Sequence, residues 1–467
     1  MKPISLPEPS PSPNYSSLDP LDGRYYDPEI AKYLSEASRI AYQAYVEAAL
    51  AHGLAKFGVC SPEVADQIEA AAAKVTAEAV AEEEKTTKHD VKALVNCIKA
   101  GLPETAQPYV HFGATSYDIV ATAMSLQLRA AVNEVLMPRL LALEKTLLRL
   151  TKDYAETVQI GRTHGQHAVP VTFGFAMAEY VSRLGGSISS IRVLNGKLKG
   201  KFSGAVGAYN ALSLFVDDPL EFEKTVLGYL DIEPAPYSTQ IIPAENYIRL
   251  IDELAVTAGI MANLGHDMRH LQRSEIAEVR EQFEAGQTGS STMAHKRNPW
   301  NFENVIGMHK QVLAQVVNAN LNISSEHQRD LTDSASARFY PIVIASVASM
   351  ASRLDRVMGK LEVDADNMQK NLYLSGGAIA AEPLYLLLEK YGHTTAHEAS
   401  KALAHQALEA GKPLYEIASQ NDGIHDYFVK FTDTEKQILQ EPEKYYTGLA
   451  AKKALSTYDY WQEKFNS

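Results

Sequence analysis

The sequence predicts an all-α protein built around long helices. Five segments, 128–158, 171–199, 244–283, 300–324 and 335–360, repeat apolar residues at helical spacing. Some of them look apolar on more than one face, as helices do when buried in a large core or an oligomer. The chain has 467 residues, 46% of them hydrophobic and 22% charged, enough apolar material for an extensive core.

In chain order, residues 1–20 carry six prolines and no apolar h-region, so they read as a disordered leader and not a secretory signal. Residues 21–110 form an N-terminal helical domain of shorter, Ala-rich helices ending in "IKAG", with Gly101 as a C-terminal cap. Residues 111–362 hold the long-helix bundle. Its first segment places Val132, Val135, Leu136, Leu140, Leu143, Leu147 and Leu150 on a helical period, and Pro138 kinks it or marks its start. Residues 363–467 form a C-terminal domain of short helices with acidic, Tyr-rich connections. There is no internal repeat and no glycine-rich phosphate loop.

The net charge of −13 argues against non-specific nucleic-acid binding, which needs a basic footprint, but a local cationic cluster still accommodates an anionic substrate. Cys60 and Cys97 are the two cysteines, with no CxxC, so a reducing cytoplasm is expected and a disulfide framework is not. No stretch of 18 apolar residues is present, and no membrane span is expected.

Short polar clusters interrupt the helical pattern at segment boundaries, where side chains can face a cleft. "LDGRYYD" offers Arg24 and Tyr25, an ordinary surface turn by itself, although an Arg there can grip a phosphate. In "KTTKHDVKALV", Thr87 and Asp90 have capping-box spacing, which leaves His89 in the first turn, placed to bind an anion. In "HFGATSYDIV", Thr115 and Asp118 again mark a helix start, and Thr115 with Ser116 suits a carboxylate as well as a plain cap. "QIGRTHGQHAVP" forms a tight polar break between two long helices, and its His164 can act as an acid or base near neutral pH. "GSSTMAHKRNP" brings a glycine, two serines and Lys296, and Asn298 with Pro299 reads as an N-cap and first helical residue. "HQRDLTDSASAR" carries Arg329, Ser334 and Arg338, the chemistry of a phosphate site. "HDMRH" sets His266 and His270 at i, i+4, but Asp stands where the zinc pattern has its Glu base, and a structural or intersubunit role is favoured.

Together these clusters resemble the fumarase/aspartase superfamily, whose signature GSSxMxxKxNP matches Gly289 to Pro299, with Ala294 where a proline is usual. The ordered set "LDGRY", "TTKHDV", "TSYDI", "GRTHGQ", "SGAVGAYN", "YSTQI" and "RDLTDSxxxR" is most similar to the adenylosuccinate lyase branch, over about residues 20–360. The resemblance implies a homotetramer whose long helices form one central bundle and whose active sites each draw on three subunits. It implies release of fumarate from adenylosuccinate, giving AMP, and from the succinylated aminoimidazole carboxamide ribotide of purine synthesis, with no metal or organic cofactor. By the same resemblance Ser290 is the base, His164 the general acid, Glu303 its partner, and His89 and Lys296 assist. Arg24, Tyr25, Arg329, Ser334 and Arg338 hold the phosphate. Lys88, His89, Asp90, Thr115, Ser116, Thr163, Gln240, Ser291, Lys296, Arg297, Asn298 and Asn304 contact the rest of the substrate.

Competing readings are a sibling lyase of the argininosuccinate lyase or carboxymuconate cycloisomerase type, a catalytically silent helical scaffold, and a zinc hydrolase built on His266 and His270. A scaffold has no use for His164, Ser290 and Lys296 together.

Overall fold

The computed structural model describes residues 19–283, 286, 292–293, 295–375 and 377–466. Gly289, Ser290, Ser291 and Ala294 of the signature lie outside them, as do residues 1–18 of the leader. The fold is all-α, as the helical periodicity predicts. The chain divides into two units: Met1–Leu140, Ser187–Ala258 and Met308–Met350 in the first, and Leu141–Gly186, Gly259–Gly307 and Ala351–Ser467 in the second.

The helices in chain order begin with α1 (Pro28–Leu34), α2 (Glu36–Lys56), α3 (Pro62–Ala72), α4 (Ala77–Thr87), α5 (Asp90–Ala100) and α6 (Ser116–Ala131). Next come α7 (Met137–Asp153), the hairpin strands β1 (Val158–Thr163) and β2 (Gln166–Thr172), α8 (Phe173–Asn195), α9 (Pro219–Gly228) and α10 (Glu245–Leu271). A two-residue strand β3 (Val279–Arg280) precedes α11 (Trp300–Leu321) and α12 (Tyr340–Gly359), and pairs antiparallel with β4 (Glu362–Val363). The C-terminal helices are α13 (Ala365–Leu372), α14 (Ala381–Lys390), α15 (Ala396–Ala410), α16 (Leu414–Ser419), α17 (His425–Phe428), α18 (Asp433–Gln440), α19 (Pro442–Tyr445) and α20 (Ala450–Asn466).

In the first unit, small residues let helices approach closely. Ala44, Ala48 and Ala51 of α2 pack with Ile68 of α3 and Leu94 and Ile98 of α5. The other face of α2 sets Leu50 and Leu54 against Ile119, Phe202, Phe222 and Val226. Each such side chain, fully buried, contributes about 1.5–3 kcal/mol. Gly53 is required here, because a Cβ would meet the Val226 side chain at 2.3 Å. In the second unit, Leu384, Leu388, Leu403, Ala407, Leu414, Phe428 and Leu439 form the C-terminal core.

Local detail sharpens the expected elements. Pro138 marks a break as expected: α6 passes through a π-turn at Val132–Leu136, and α7 begins at Met137 with Pro138 in its first turn. A proline lacks the N–H that would continue the ladder, so one wider turn takes up the break. The segment expected to run to 283 is helical only to Leu271, where Glu278 N–H donates to the Leu271 carbonyl and Ala277 adopts φ 49°. That turn brings the wholly buried Glu278 carboxylate to Arg162. The polar break at 159–170 does fall between two helices, α7 and α8, and takes the form of a β-hairpin. Among the described residues no helix is long and apolar enough to cross a membrane.

Candidate active site

The first unit contains a cavity of about 570 Å³, within the size range of small-molecule sites, about 300–1,000 Å³. Lys88, His89, Asp90, Thr115, Ser116, Gln240, Ser334 and Arg338 all line it. These residues are distant in sequence, and four local structures present them.

The turn between α4 and α5 presents Lys88, His89 and Asp90. Lys88 caps α4 in the left-handed region at φ 55°. His89 is not in the first turn of α5 but is its N-cap. Its Nδ1 accepts from the Lys92 N–H at 3.3 Å, so an imidazole replaces the oxygen that normally caps a helix. With Nδ1 accepting, a neutral ring carries its proton on Nε2, which can then donate to a ligand. Asp90 accepts from Arg338 Nη2 at 3.1 Å and lies 3.8 Å from Arg39 Nη1. Glu36 joins this network, and its hydrogen bond from Arg39 holds its carboxyl below the usual range.

The start of α6 presents Thr115 and Ser116. Thr115 and Asp118 form a capping box, with the Thr115 N–H donating to Asp118 Oδ2 at 2.8 Å. Asp118 also pairs with the fully buried Lys201 and accepts from Ser203 N–H at 3.1 Å and Gly204 N–H at 3.2 Å. One carboxylate therefore ties this helix start to the 201–204 segment. Tyr117 beside it has its phenol pushed up to about 12, by burial and then by the charges of Asp333 and Asp90.

The Gln240 N–H donates to the Gln328 carbonyl at 3.2 Å, joining that wall to the 326–338 segment. In this segment His327 and Arg329 have φ 45° and 114°, a strain that persists where surrounding structure enforces it, often at ligand sites. Arg329 does not line the cavity itself. Its side chain is 5% exposed, with Nη2 2.6 Å from Asp333, a cavity-lining residue. The contact is an ion pair through Asp333 Oδ2, and Arg329 Nε and Asp333 Oδ1 are buried without a hydrogen-bond partner. Arg24 and Tyr25, in the turn before α1, are not among the lining residues.

The second unit holds the other candidates. Strands β1 and β2 pair from Val158↔Thr172 to Thr163↔Gln166, leaving His164 and Gly165 as the two-residue turn. Both have positive φ, 55° and 73°, which is a type I′ turn. His164 is thereby exposed at the hairpin tip beside Thr163. Arg162 braces the hairpin by a two-point contact to Glu278, at 2.5 and 3.1 Å. Gln159 and Asn371 donate to the same carboxylate, each at 2.7 Å.

Helix α11 begins at Trp300, one residue later than the Asn298–Pro299 pair suggests, with the Pro299 carbonyl accepting from the Glu303 N–H. A remote residue also serves its N-terminus: buried Glu281 accepts from the Asn301 and Phe302 N–H groups at 3.0 and 3.1 Å. Burial raises the Glu281 carboxyl. Lys296 is exposed, and Arg297 lies over the Phe283 ring at 5.6 Å. Asn298 and Asn304 are half-buried, and Glu303 pairs with Arg269 at 3.4 Å. His164 has no hydrogen-bond or ion-pair partner among the described residues, so the structure does not bring Glu303 to it within the chain.

Glu36, Arg39, Tyr117 and Asp333 also line the cavity without being singled out as site residues from the sequence, and His111 lies outside it in a separate ion pair. His111, at φ 62°, places Nδ1 2.6 Å from the buried Glu47 carboxylate. Burial opposes its charge, but Glu47 outweighs that, and its pKa is raised. The signals available were weak: a lone His two residues before Gly113, and an acidic residue inside an Ala-rich helix. His266 and His270 are exposed on α10 and belong to no three-ligand grouping among the described residues.

Residues 25–314 match the Lyase family, and residues 325–431 match the adenylosuccinate lyase C-terminal family. Adenylosuccinate lyase of Methanocaldococcus jannaschii is 34% identical over 93% of this chain and 94% of its own length. That of Pyrococcus horikoshii is 36% identical over 96% and 98%. The chain belongs to the adenylosuccinate lyase family. Membership makes it an enzyme of the lyase class. The crystal structure of a fumarate lyase from Mesorhizobium sp. BNC1 superposes with a TM-score of 0.83 at 23% identity, covering 93% of this chain and 98% of that one, and shows the shared fold. The 3-carboxy-cis,cis-muconate lactonizing enzyme from Pseudomonas putida gives 0.83 at 27% identity, over 94% and 98%.

Proposed function

We propose that this chain cleaves adenylosuccinate to AMP and fumarate, and the succinylated aminoimidazole carboxamide ribotide to its carboxamide product, by β-elimination. The observation that carries the reading is the first-unit cavity, where a helix start with two hydroxyls, a His-capped helix start and Arg338 meet in one space. Such a space suits a ligand with anionic groups and a neutral heterocycle.

In this reading the phosphate lies against Ser334, Arg338 and Arg329, whose buried Nε has no hydrogen-bond partner, with Arg24 and Tyr25 completing the grip. Thr115, Ser116 and the N-terminal N–H groups of α6 hold a succinyl carboxylate, with Gln240 beside it. Ser290 removes a proton from the carbon next to that carboxylate. The electron pair collects as an aci-carboxylate, stabilised by Lys296 and Asn298. It then collapses to the double bond of fumarate as the C–N bond breaks. His164 protonates the departing nitrogen, and its exposure at a rigid hairpin tip suits delivery of a proton. Glu303, His89 and Ser291 assist, together with Lys88, Asp90, Thr163, Arg297 and Asn304. The active sites are shared between subunits of a homotetramer in the cytoplasm.

Fumarate release from adenylosuccinate by the purified protein tests the reading directly. Release only from argininosuccinate or another succinyl-linked compound refutes it. Arg329→Ala should raise KM for adenylosuccinate by at least about tenfold, the loss expected of a charge-assisted hydrogen bond. An unchanged KM removes Arg329 from the phosphate site.

A further inference from the structure

The lining of the first-unit cavity contains two chemical classes. One is charged: Glu36, Arg39, Asp90, Asp333 and Arg338. The other is apolar and includes Val120, Ala123, Met124, Ile242 and Tyr247. Two amides also line it, Gln43 from α2 and Gln127 from α6, only 1% and 4% exposed. The Gln43 amide oxygen is wholly buried without a hydrogen-bond partner, and Gln127 lines the same cavity from the facing helix. A primary amide offers two donors and an acceptor, and leaving them unmet in a protein interior is costly. Two such amides on one cavity mark a place for a neutral ligand with donor and acceptor edges.

We propose that Gln43 and Gln127 recognise the edge of a neutral nitrogen heterocycle, of the purine or aminoimidazole carboxamide kind, seated between the apolar walls. A carboxamide pairs well with such an edge, because it donates and accepts side by side, as glutamine does to adenine. The flat faces of the ring suit Met124, Val120 and Tyr247, and the charged lining is left for the anionic end. The heterocycle is either the base of the bound nucleotide or a free base, and the inference rests on the nucleotide reading of the cavity only for the first of these sources.

The test uses the full-length protein and its Gln43→Met and Gln127→Met variants, which keep the side-chain length and delete the amide. If the amides recognise the base of the substrate, KM for adenylosuccinate rises about three- to tenfold in each variant, with kcat within about twofold. Tm stays level or rises, because an unmet buried amide has been replaced by an apolar group. A merely structural amide would lower Tm without this KM-specific loss. Calorimetry with free adenine supplies the second arm: binding to the wild type that both variants lose, at unchanged KM, assigns the compartment to a free base. Wild-type KM in both variants with no adenine binding means the amides hold only water, and overturns the inference. If the wild type releases no fumarate from adenylosuccinate, the nucleotide reading fails instead, and the adenine arm still decides the compartment.

Discussion

Two ionisable residues, the buried Glu144 and the half-buried His111, both make stability fall as pH rises, for different physical reasons. Glu144 on α7 is fully buried, and both its carboxylate oxygens lack a hydrogen-bond partner. Burial raises its pKa well above the ordinary 4.5. An acid with a raised folded pKa loses stability as pH rises from its unfolded value toward its folded one. Glu144→Gln removes the ionisable group while keeping its shape, so it should raise Tm relative to wild type more at pH 8 than at pH 5. An equal gain at both would rule out ionisation as the cause. His111 has the same pH sign from a different cause, an attractive partner. Its pKa is raised by Glu47, so its contribution is complete below the ordinary histidine value of 6.5 and fades as pH rises through the folded value. The Tm deficit of His111→Gln should shrink from pH 6 to pH 9, and a constant deficit would show that packing alone is lost. Glu144 and His111 are visible in the sequence as letters, but neither reveals its burial or partner there.

At the scale of elements, helix ends were legible where the capping group is a near neighbour, but not at the start of α5, which His89 caps in place of Thr87, nor at that of α11, which the remote Glu281 holds. Thr115 and Asp118 close a capping box within four residues, and Gly101 caps α5, as their spacing indicates. The β-hairpin was not legible. Its strands are short, and the pairing Val158↔Thr172 is stabilised by Arg162 reaching Glu278, more than a hundred residues away. Arg162→Leu should destabilise the protein by about 3–5 kcal/mol, because it leaves Glu278 buried and uncompensated. The double change with Glu278→Leu should recover much of that loss, and a double mutant no more stable than the single would argue against the ion pair. At α6, Lys201→Met strands Asp118 in the same way. It should cost a similar 3–5 kcal/mol in chemical denaturation, and a loss below about 1 kcal/mol would mean that the backbone N–H groups alone satisfy Asp118.

For the whole molecule, the proposed tetramer and shared active sites make a prediction that no single subunit could meet. His164→Ala and Ser290→Ala should each abolish fumarate release as homo-oligomers. Mixed after partial denaturation and refolding, they should recover part of the wild-type activity, since some sites then combine an intact His164 from one subunit with an intact Ser290 from another. No recovery in hetero-oligomers that demonstrably form would place both residues on one subunit.

The sequence by itself determined the all-α class, the long helices and the family, because apolar periodicity and capping depend on neighbours a few residues apart. The ordered polar motifs needed no geometry either. Only the tertiary structure decided that Lys88, His89, Asp90, Thr115, Ser116, Gln240, Ser334 and Arg338 share one cavity. It alone showed that His89 is a cap, that His164 sits on a type I′ turn, and that Gln43 and Gln127 are buried beside that cavity. Each of these depends on contacts between residues far apart in the chain. Burial, hydrogen-bond satisfaction and shifted pKa values arise from those contacts, and one-dimensional spacing does not encode them.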